Sequence, residues 1–347
     1  MRSALSSPLG VHRVLDPAGV LPQAADSLDA SPAIWPDEVR LAVERLNVDS
    51  SSYRQLVAAH HGDYDAIRRD LVTLIRRRGK LHNPATNSGG ILLGVVDEVG
   101  PRSPLGLSLG ERVATLVSLS LTPLHLTDEL AGWDGRSEQI PARGHAILFA
   151  RSAVARLPED IDASIAMALC DVCGAAGLTD RTVRRATIQR GRSLVITVLG
   201  AGGKSGALAL VAARRAGSSH IIGIVPTADE ARALTSTNLA DEVLVLDARD
   251  AVAVASRVVT RADVTVVCVN TDGCEAGAIL ATAEGGTVLF FSMATSFARA
   301  ALTAEGLVAD VTLLIGNGYV PGAADMAFDL WREEPALRSA LDSRLRH

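Results

Sequence analysis

The stretch that most restricts what this chain can fold into is Leu194-Val195-Ile196-Thr197-Val198-Leu199, followed at once by Gly200-Ala201-Gly202-Gly203-Lys204-Ser205-Gly206 and an alanine-rich segment to Ala216. A short apolar run that breaks on glycines predicts a buried strand, and the segment after the glycines predicts a helix. A strand that turns sharply into a helix aims the first helical amides outward with a partial positive charge. Glycine in such a turn lets an anion approach without meeting a Cβ. The spacing GxxGxxG through Gly200, Gly203 and Gly206, opened by Gly200 and Gly202, suits the pyrophosphate of a dinucleotide, with the third glycine of the usual GxGxxG one residue late. Gly203-Lys204-Ser205 also matches the end of a nucleoside triphosphate loop, GxxxxGK[ST], but the leading glycine of that pattern would fall at Val198, inside the strand. A strand–turn–helix that binds nothing is the plain alternative.

The surrounding pattern extends this unit. Helical segments at 163–185, 203–216, 228–235 and 251–260 alternate with apolar runs at 193–199, 220–225, 242–246, 264–269, 287–292 and 311–315. Runs apolar throughout, separated by helices, predict a parallel sheet covered on both faces, a Rossmann-type α/β domain. The first half differs. It is richer in proline and glycine, with β-like pieces at 38–45, 91–99, 112–119 and 146–149 and helices at 50–59 and 64–78. The basic residues of the second helix, with Lys80 just beyond it, predict a solvated face. Pro158, before Glu159-Asp160, marks the join. The expected organisation is a mostly β domain over 1–157, a dinucleotide domain over 158–320, and a C-terminal helix within 321–347 that folds back over the first domain.

Composition narrows the function. The 347 residues carry 34 basic and 39 acidic side chains, a net charge of −5, and only 3% are aromatic. Neither a basic surface nor a stacking platform for nucleic acid is expected. Apolar runs are broken before the roughly 20 residues a membrane span needs, so no membrane partner is expected. The polar start Met1–Gly10 lacks the apolar core of a secretory signal. Cys170, Cys173, Cys268 and Cys274 suit reduced thiols in the cytoplasm, with the Cys170–Cys173 pair on an apolar helix as structural thiols.

A β-rich domain ahead of a Rossmann domain resembles the medium-chain dehydrogenase/reductase superfamily, whose first domain is GroES-like. Gly200–Gly206 is similar to the glycine turn of its zinc-free, quinone-reductase-like branch. Gly89-Gly90-Ile91-Leu92-Leu93-Gly94-Val95-Val96-Asp97-Glu98-Val99-Gly100 resembles GHEGAGVVxxVG, with Gly90 and Ile91 where zinc enzymes carry His and Glu. Leu46-Asn47-Val48-Asp49 sits where such enzymes have a zinc-binding cysteine or an Asn-Pro motif. No metal is expected. Within the superfamily, the segments 46–52, 82–90, 114–124, 290–297 and 314–319 are similar to the family of 3,5-diaminohexanoate dehydrogenases. The resemblance implies oxidative deamination at C3 of that diamino acid by NAD or NADP, a step of lysine fermentation. It also implies a homodimer, joined through the edge strand at 311–315.

An amine needs no metal to give up a hydride once it is neutral, so the expected chemistry asks for a base, acceptors for ammonium and a donor for carboxylate. Asp49 and Asp171 are the carboxylates considered, Asp49 equally as a plain helix cap and Asp171 as an acid on an apolar helix. His82 is a third candidate for proton transfer, with Asn83, Ser88, Ser51 and Thr295 as substrate contacts. The cofactor is assigned to Gly200, Gly202, Gly203, Lys204, Ser205 and Gly206, with Asn270, Ser292 and Asn317 at strand ends. Val225-Pro226-Thr227 has no acid at the strand end where NAD sites usually place one, and Thr227 with Arg232 suits a 2′-phosphate, so NADP is tolerated and NAD stays open. Two other functions fit the same scaffold: reduction of a quinone or enone with NADPH, and cofactor binding without turnover.

Overall fold

The computed structural model describes residues 6–116, 118–292, 294–316 and 319–345. The chain forms two compact units, residues 1–171 and 172–347. The division falls inside a long helix rather than at Pro158.

The first unit opens with a small antiparallel pair, β1 (Val14–Asp16) and β2 (Ser27–Leu28). Its main sheet contains β3 (Val39–Asn47), β4 (Ile91–Val99), β5 (Arg112–Thr115), β6 (Leu124–Leu126), β7 (Gln139–Leu148) and β8 (Val154–Arg156) in the order β6-β7-β3-β4-β5-β8, every pairing antiparallel. Along β3, Val39, Leu41 and Val43 are buried at every second position, as a strand with one face on the core requires. Two helices pack on this core. α1 (Ser50–Ala59) starts at Asp49, and α2 (Tyr64–Arg78) buries Ile67, Leu71 and Ile75 on one stripe at i, i+4, i+8. α2 stops at Gly79, whose φ of 61° only glycine adopts readily, and the turn carries the chain inward. Lys80 is therefore not on a solvated face: its side chain is fully buried, with Nζ donating to the carbonyls of Pro22 and Gln23.

α3 (Ala163–Arg190) crosses from one unit into the other. By length and composition it is the one helix among the described residues that can span a membrane, contrary to the expectation from broken apolar runs; 72% of its most apolar window is buried inside the protein. The second unit continues with β9 (Val195–Leu199), α4 (Lys204–Arg215), β10 (His220–Val225), α5 (Ala228–Thr237), β11 (Glu242–Val245), α6 (Ala251–Arg257) and β12 (Ala262–Val267). After it come α7 (Glu275–Leu280), β13 (Thr282–Phe290), α8 (Phe297–Leu302), α9 (Ala304–Val308) and β14 (Val311–Ile315). The strands are all parallel in the order β11-β10-β9-β12-β13-β14. The winding reverses between β9 and β12, and open α/β sheets bind ligands at the carboxyl ends beside such a reversal. The single C-terminal helix expected from the sequence is two, α10 (Ala323–Glu333) and α11 (Pro335–Leu345), broken where Pro335 lacks the N–H to continue the ladder. α10 packs on α4, and α11 on α4 and α5.

Candidate active site

The turn after β9 is built around its glycines. Gly200 has φ +78°, and a Cβ there would come within 2.9 Å of the Cys268 backbone. A Cβ on Gly206 would lie 2.2 Å from the Gly200 carbonyl oxygen and 2.7 Å from Ala201 Cα. That contact is what packs the start of α4 against the strand end. The amides of Gly200 and Ala201 donate to the Ile224 carbonyl at 3.0 and 3.1 Å, and Gly203 N–H donates to the Gly200 carbonyl at 3.1 Å. Three amides of the turn thus serve the turn itself. Those of Ser205 and Gly206, in the first turn of α4, lie at the positive end of the helix dipole. A turn with no room for a Cβ at Gly200 or Gly206, at the start of a helix, fits a pyrophosphate.

A cavity of about 500 Å³ adjoins this turn, lined by Ala201, Gly202, Asp229, Glu230 and Ser339 among others, within the range of small-molecule sites. Thr227 caps α5, its Oγ1 accepting from Glu230 N–H at 3.2 Å. Arg232, expected to reach a 2′-phosphate, is paired with Asp229 one turn away on the same helix. At the far strand ends, Ser292 Oγ bonds the Val269 carbonyl and accepts from Ala294 N–H at 3.1 Å, which ties together the loops after β12 and β13. Asn270 and Thr295, both half-buried, lie on these loops. Glu275, 2% exposed, accepts from Ser296 N–H at 2.6 Å and anchors the second loop. Asn317 lies outside the described residues.

The second constellation belongs to the first unit. Asp49 caps α1: its carboxylate accepts from Ser52 N–H at 2.9 Å and Ser52 Oγ at 2.7 Å. It makes no ion pair among the described residues. Ser52 Oγ contacts Thr86 Oγ1 at 2.5 Å; because the Ser52 proton goes to Asp49, Thr86 is the donor in that pair. Asn83 closes the facing turn, its amide donating to Gln55 Oε1 at 2.9 Å and accepting from Ala85 N–H at 2.9 Å. Ser88 bridges back to Asn83 and accepts from Gly90 N–H. His82 is buried, with Nε2 paired to Asn87 Oδ1 at 2.8 Å and Nδ1 without a partner. Burial pushes its pKa down, only partly offset by the Asn87 hydrogen bond. With the assigned Asn87 oxygen accepting, the neutral ring carries its proton on Nε2 and leaves a lone pair on Nδ1.

Asp171 departs from its expectation. It is half-buried on α3, because the helix turns its neighbours Cys170 and Val172 inward, so the cost of burying an acid does not single it out. Ser51, at the start of α1, is likewise half-buried. Where zinc enzymes carry histidine, Gly90 has φ +68° and a Cβ would lie 1.9 Å from the Asn47 carbonyl oxygen. No side chain fits there without moving the strand. Among the described residues no three His, Cys, Asp or Glu side chains gather to hold a metal.

With this geometry the comparisons with known proteins agree. The N-terminal-domain profile of L-erythro-3,5-diaminohexanoate dehydrogenase matches residues 12–158. The L-erythro-3,5-diaminohexanoate dehydrogenase of Acetoanaerobium sticklandii is 36% identical over 342 residues, 96% of this chain and 97% of that protein. The chain belongs to the L-erythro-3,5-diaminohexanoate dehydrogenase family. The Fusobacterium nucleatum protein of the same name is also 36% identical, over 95% of this chain and 96% of its own length. A quinone oxidoreductase of Pseudomonas syringae pv. Tomato shares the fold, with TM-score 0.53 at 18% identity, covering 90% of this chain and 88% of that one. The α/β reading with a GroES-like first domain is thereby shown, and members of this family are nicotinamide-dependent oxidoreductases by fold and name.

Motif reading missed several residues of the site. Thr86 and Gln55 are ordinary in sequence and become partners only through α1 facing the 82–90 turn. Asn47, the last residue of β3, is 1% exposed with neither amide atom hydrogen-bonded. Nothing local in the sequence signals that.

Proposed function

We propose that this chain catalyses the oxidative deamination of L-erythro-3,5-diaminohexanoate at C3, giving 5-amino-3-oxohexanoate, ammonia and reduced nicotinamide cofactor. The observation that carries the reading is 36% identity along nearly the whole length of two dehydrogenases of that name. The Gly200–Gly206 turn would hold the pyrophosphate. The bound nicotinamide supplies the hydride acceptor. Asp229 and Glu230 beside the cavity, with Arg232 already neutralised by Asp229, support NAD over NADP, since a 2′-phosphate would meet carboxylates there.

The chain's own residues have two tasks. The C3 ammonium must lose a proton before its lone pair can assist the departure of hydride, and water must then attack the imine carbon to release ammonia. Asp49, which makes no ion pair among the described residues, is the acceptor offered to that ammonium, and the His82 Nδ1 lone pair is a second acceptor in the same unit. Asn83, Ser51 and Ser88 of the first unit are assigned to substrate, and Lys204, Gly202, Gly203, Asn270, Ser292 and Asn317 to cofactor. Free thiols support a reducing compartment such as the cytoplasm. A small diamino acid is the partner, together with a second copy of the chain.

Purified protein mixed with the diamino acid and NAD or NADP should release ammonia and reduced cofactor in equal amounts. No turnover with either cofactor sinks the proposal. Asp49→Asn keeps a good helix cap while removing the charge. It should fold normally and lose about 10²-fold or more in kcat; full activity would remove Asp49 from proton transfer.

A further inference from the structure

The cavity beside the glycine turn is bordered on one side by the C-terminal helix. With Ala201 and Gly202 of the turn and Asp229 and Glu230 at the start of α5, it is lined by Ser339 and Ala340 of α11. That helix is held in place along its length. Leu337 and Leu341, one turn apart, are both fully buried, and α11 packs on α4 and α5. Arg338, between them, donates from Nη1 to the carbonyls of Trp331 and Arg332 at 3.1 and 2.6 Å, which ties α11 to the end of α10. Ala340 comes three residues after Leu337, so it stands at the margin of the buried stripe, half-buried, where it meets the cavity. Small side chains at 339 and 340 leave that space open.

The position of the cavity says which part of a cofactor it suits. A dinucleotide on such a sheet lays its pyrophosphate on the turn after the first strand, here β9, and its adenosine ribose at the end of the next, here β10. The cavity reaches Gly202 in that turn and Asp229 just past the end of β10, so it lies at the adenosine end. None of the described residues that line it is basic, whereas Asp229 and Glu230 are acids.

We propose that α11 is the outer wall of the adenosine site, and that Ser339 on this wall governs whether a ribose bearing a 2′-phosphate is held. This rests on the cofactor assignment made above and deepens it. Ala340 leaves room for the adenosine, and a side chain larger by a ring takes that room away. Ser339 donates its hydroxyl proton to the Pro335 carbonyl at 3.2 Å. Its oxygen keeps a lone pair that suits a ribose hydroxyl, but it brings no charge to offset a phosphate dianion beside two carboxylates.

The test titrates NADH, NADPH and reduced nicotinamide mononucleotide by cofactor fluorescence on the full-length chain, with no diamino acid present. Ala340→Phe should weaken NADH on the order of 10-fold, because the ring and the adenosine compete for one space. The mononucleotide, which has no adenosine, should bind this variant and wild type alike, and the melting temperature without ligand should not fall. Ser339→Arg, at an exposed position, should raise the affinity for NADPH relative to NADH by about 10-fold through a charge-assisted hydrogen bond to the added phosphate. Unchanged NADH affinity in Ala340→Phe overturns the proposal, as does an equal loss for the mononucleotide, or a ratio of NADPH to NADH affinity that Ser339→Arg leaves where it was. If Ala340→Phe does not fold, the ratio in Ser339→Arg decides. A chain that shows these binding changes yet does not oxidise 3,5-diaminohexanoate keeps α11 in the cofactor site and loses the proposed substrate.

Discussion

Glu38 and Lys80 both carry charge inside the first unit, and their surroundings make the fold more stable as pH rises in both cases, over different pH ranges. Burial alone would raise the Glu38 pKa, but hydrogen bonds from His12, Arg13 and Trp35 outweigh it and hold the carboxyl below its ordinary value. Arg13, fully buried, also donates to the carbonyls of Asp29, Ser31 and Ala33. The stability that Glu38 contributes is present above the ordinary carboxyl range and is lost as pH falls through its lower folded value. Glu38→Ala leaves the buried Arg13 guanidinium with only the partly exposed Asp29 carboxylate, 3.8 Å away, as counter-charge. Urea denaturation at neutral pH should show a loss of about 3–5 kcal/mol. Lys80 has the same sign at higher pH, for the opposite reason: a charge that burial disfavours. Burial, aided by repulsion from Arg78, lowers its pKa to about 8 from the ordinary 10.5. Between those values the unfolded chain holds a proton that the folded chain has released, so folding gains as pH rises, and below about 8 the whole cost of the buried ammonium is present. The stability of wild type relative to Lys80→Met should therefore increase between pH 7.5 and 10; a flat difference would show that Lys80 stays charged throughout.

At the scale of the element, the glycine turn makes a sharper claim than its motif. Gly200, Gly203 and Gly206 look equivalent in sequence. They are not: a Cβ on Gly206 meets backbone at 2.2 Å, whereas one on Gly203 meets only the Gly200 carbonyl oxygen at 3.5 Å, an ordinary contact. Gly206→Ala should cost about 1–3 kcal/mol in chemical denaturation and weaken NADH binding by fluorescence titration, because the start of α4 must move away from the strand. Gly203→Ala should fold within about 0.5 kcal/mol of wild type. Equal costs would mean that the turn relaxes freely.

For the whole molecule, the open edge of the parallel sheet is the feature that isolation leaves unexplained. β14 is a terminal strand, and Leu302, Leu307, Val308, Ile315 and Tyr319 around it in sequence are each more than half exposed. A long edge with apolar side chains invites pairing. The proposed homodimer joins two copies there by an isologous contact. Sedimentation should find a dimer, and Ile315→Lys should shift it towards monomer; an unchanged dimer would place the interface elsewhere. At this scale the sequence was a good guide to the elements and a poor one to their commitments. Apolar periodicity located β4, α2, β10 and β14 to the residue, since each is decided by its own side chains. The short helices α7, α8 and α9 were invisible because they carry little periodicity of their own.

Local order was determined by sequence alone: the strand–glycine–helix unit, the parallel alternation, the Asp49 cap and the glycines where a metal ligand would stand follow from propensity, spacing and the steric freedom of residues a few positions apart. What tertiary structure decided is who bonds to whom across strands and turns. Lys80 became buried because the Gly79 turn points inward, Thr86 joined Ser52 because a loop faces α1, and the buried Asn47 amide was left unpaired because Gln139 is engaged with Arg45 and Ser164. Hydrogen bonds saturate, so whether a buried group is satisfied depends on the prior commitments of distant neighbours, and no local pattern encodes those.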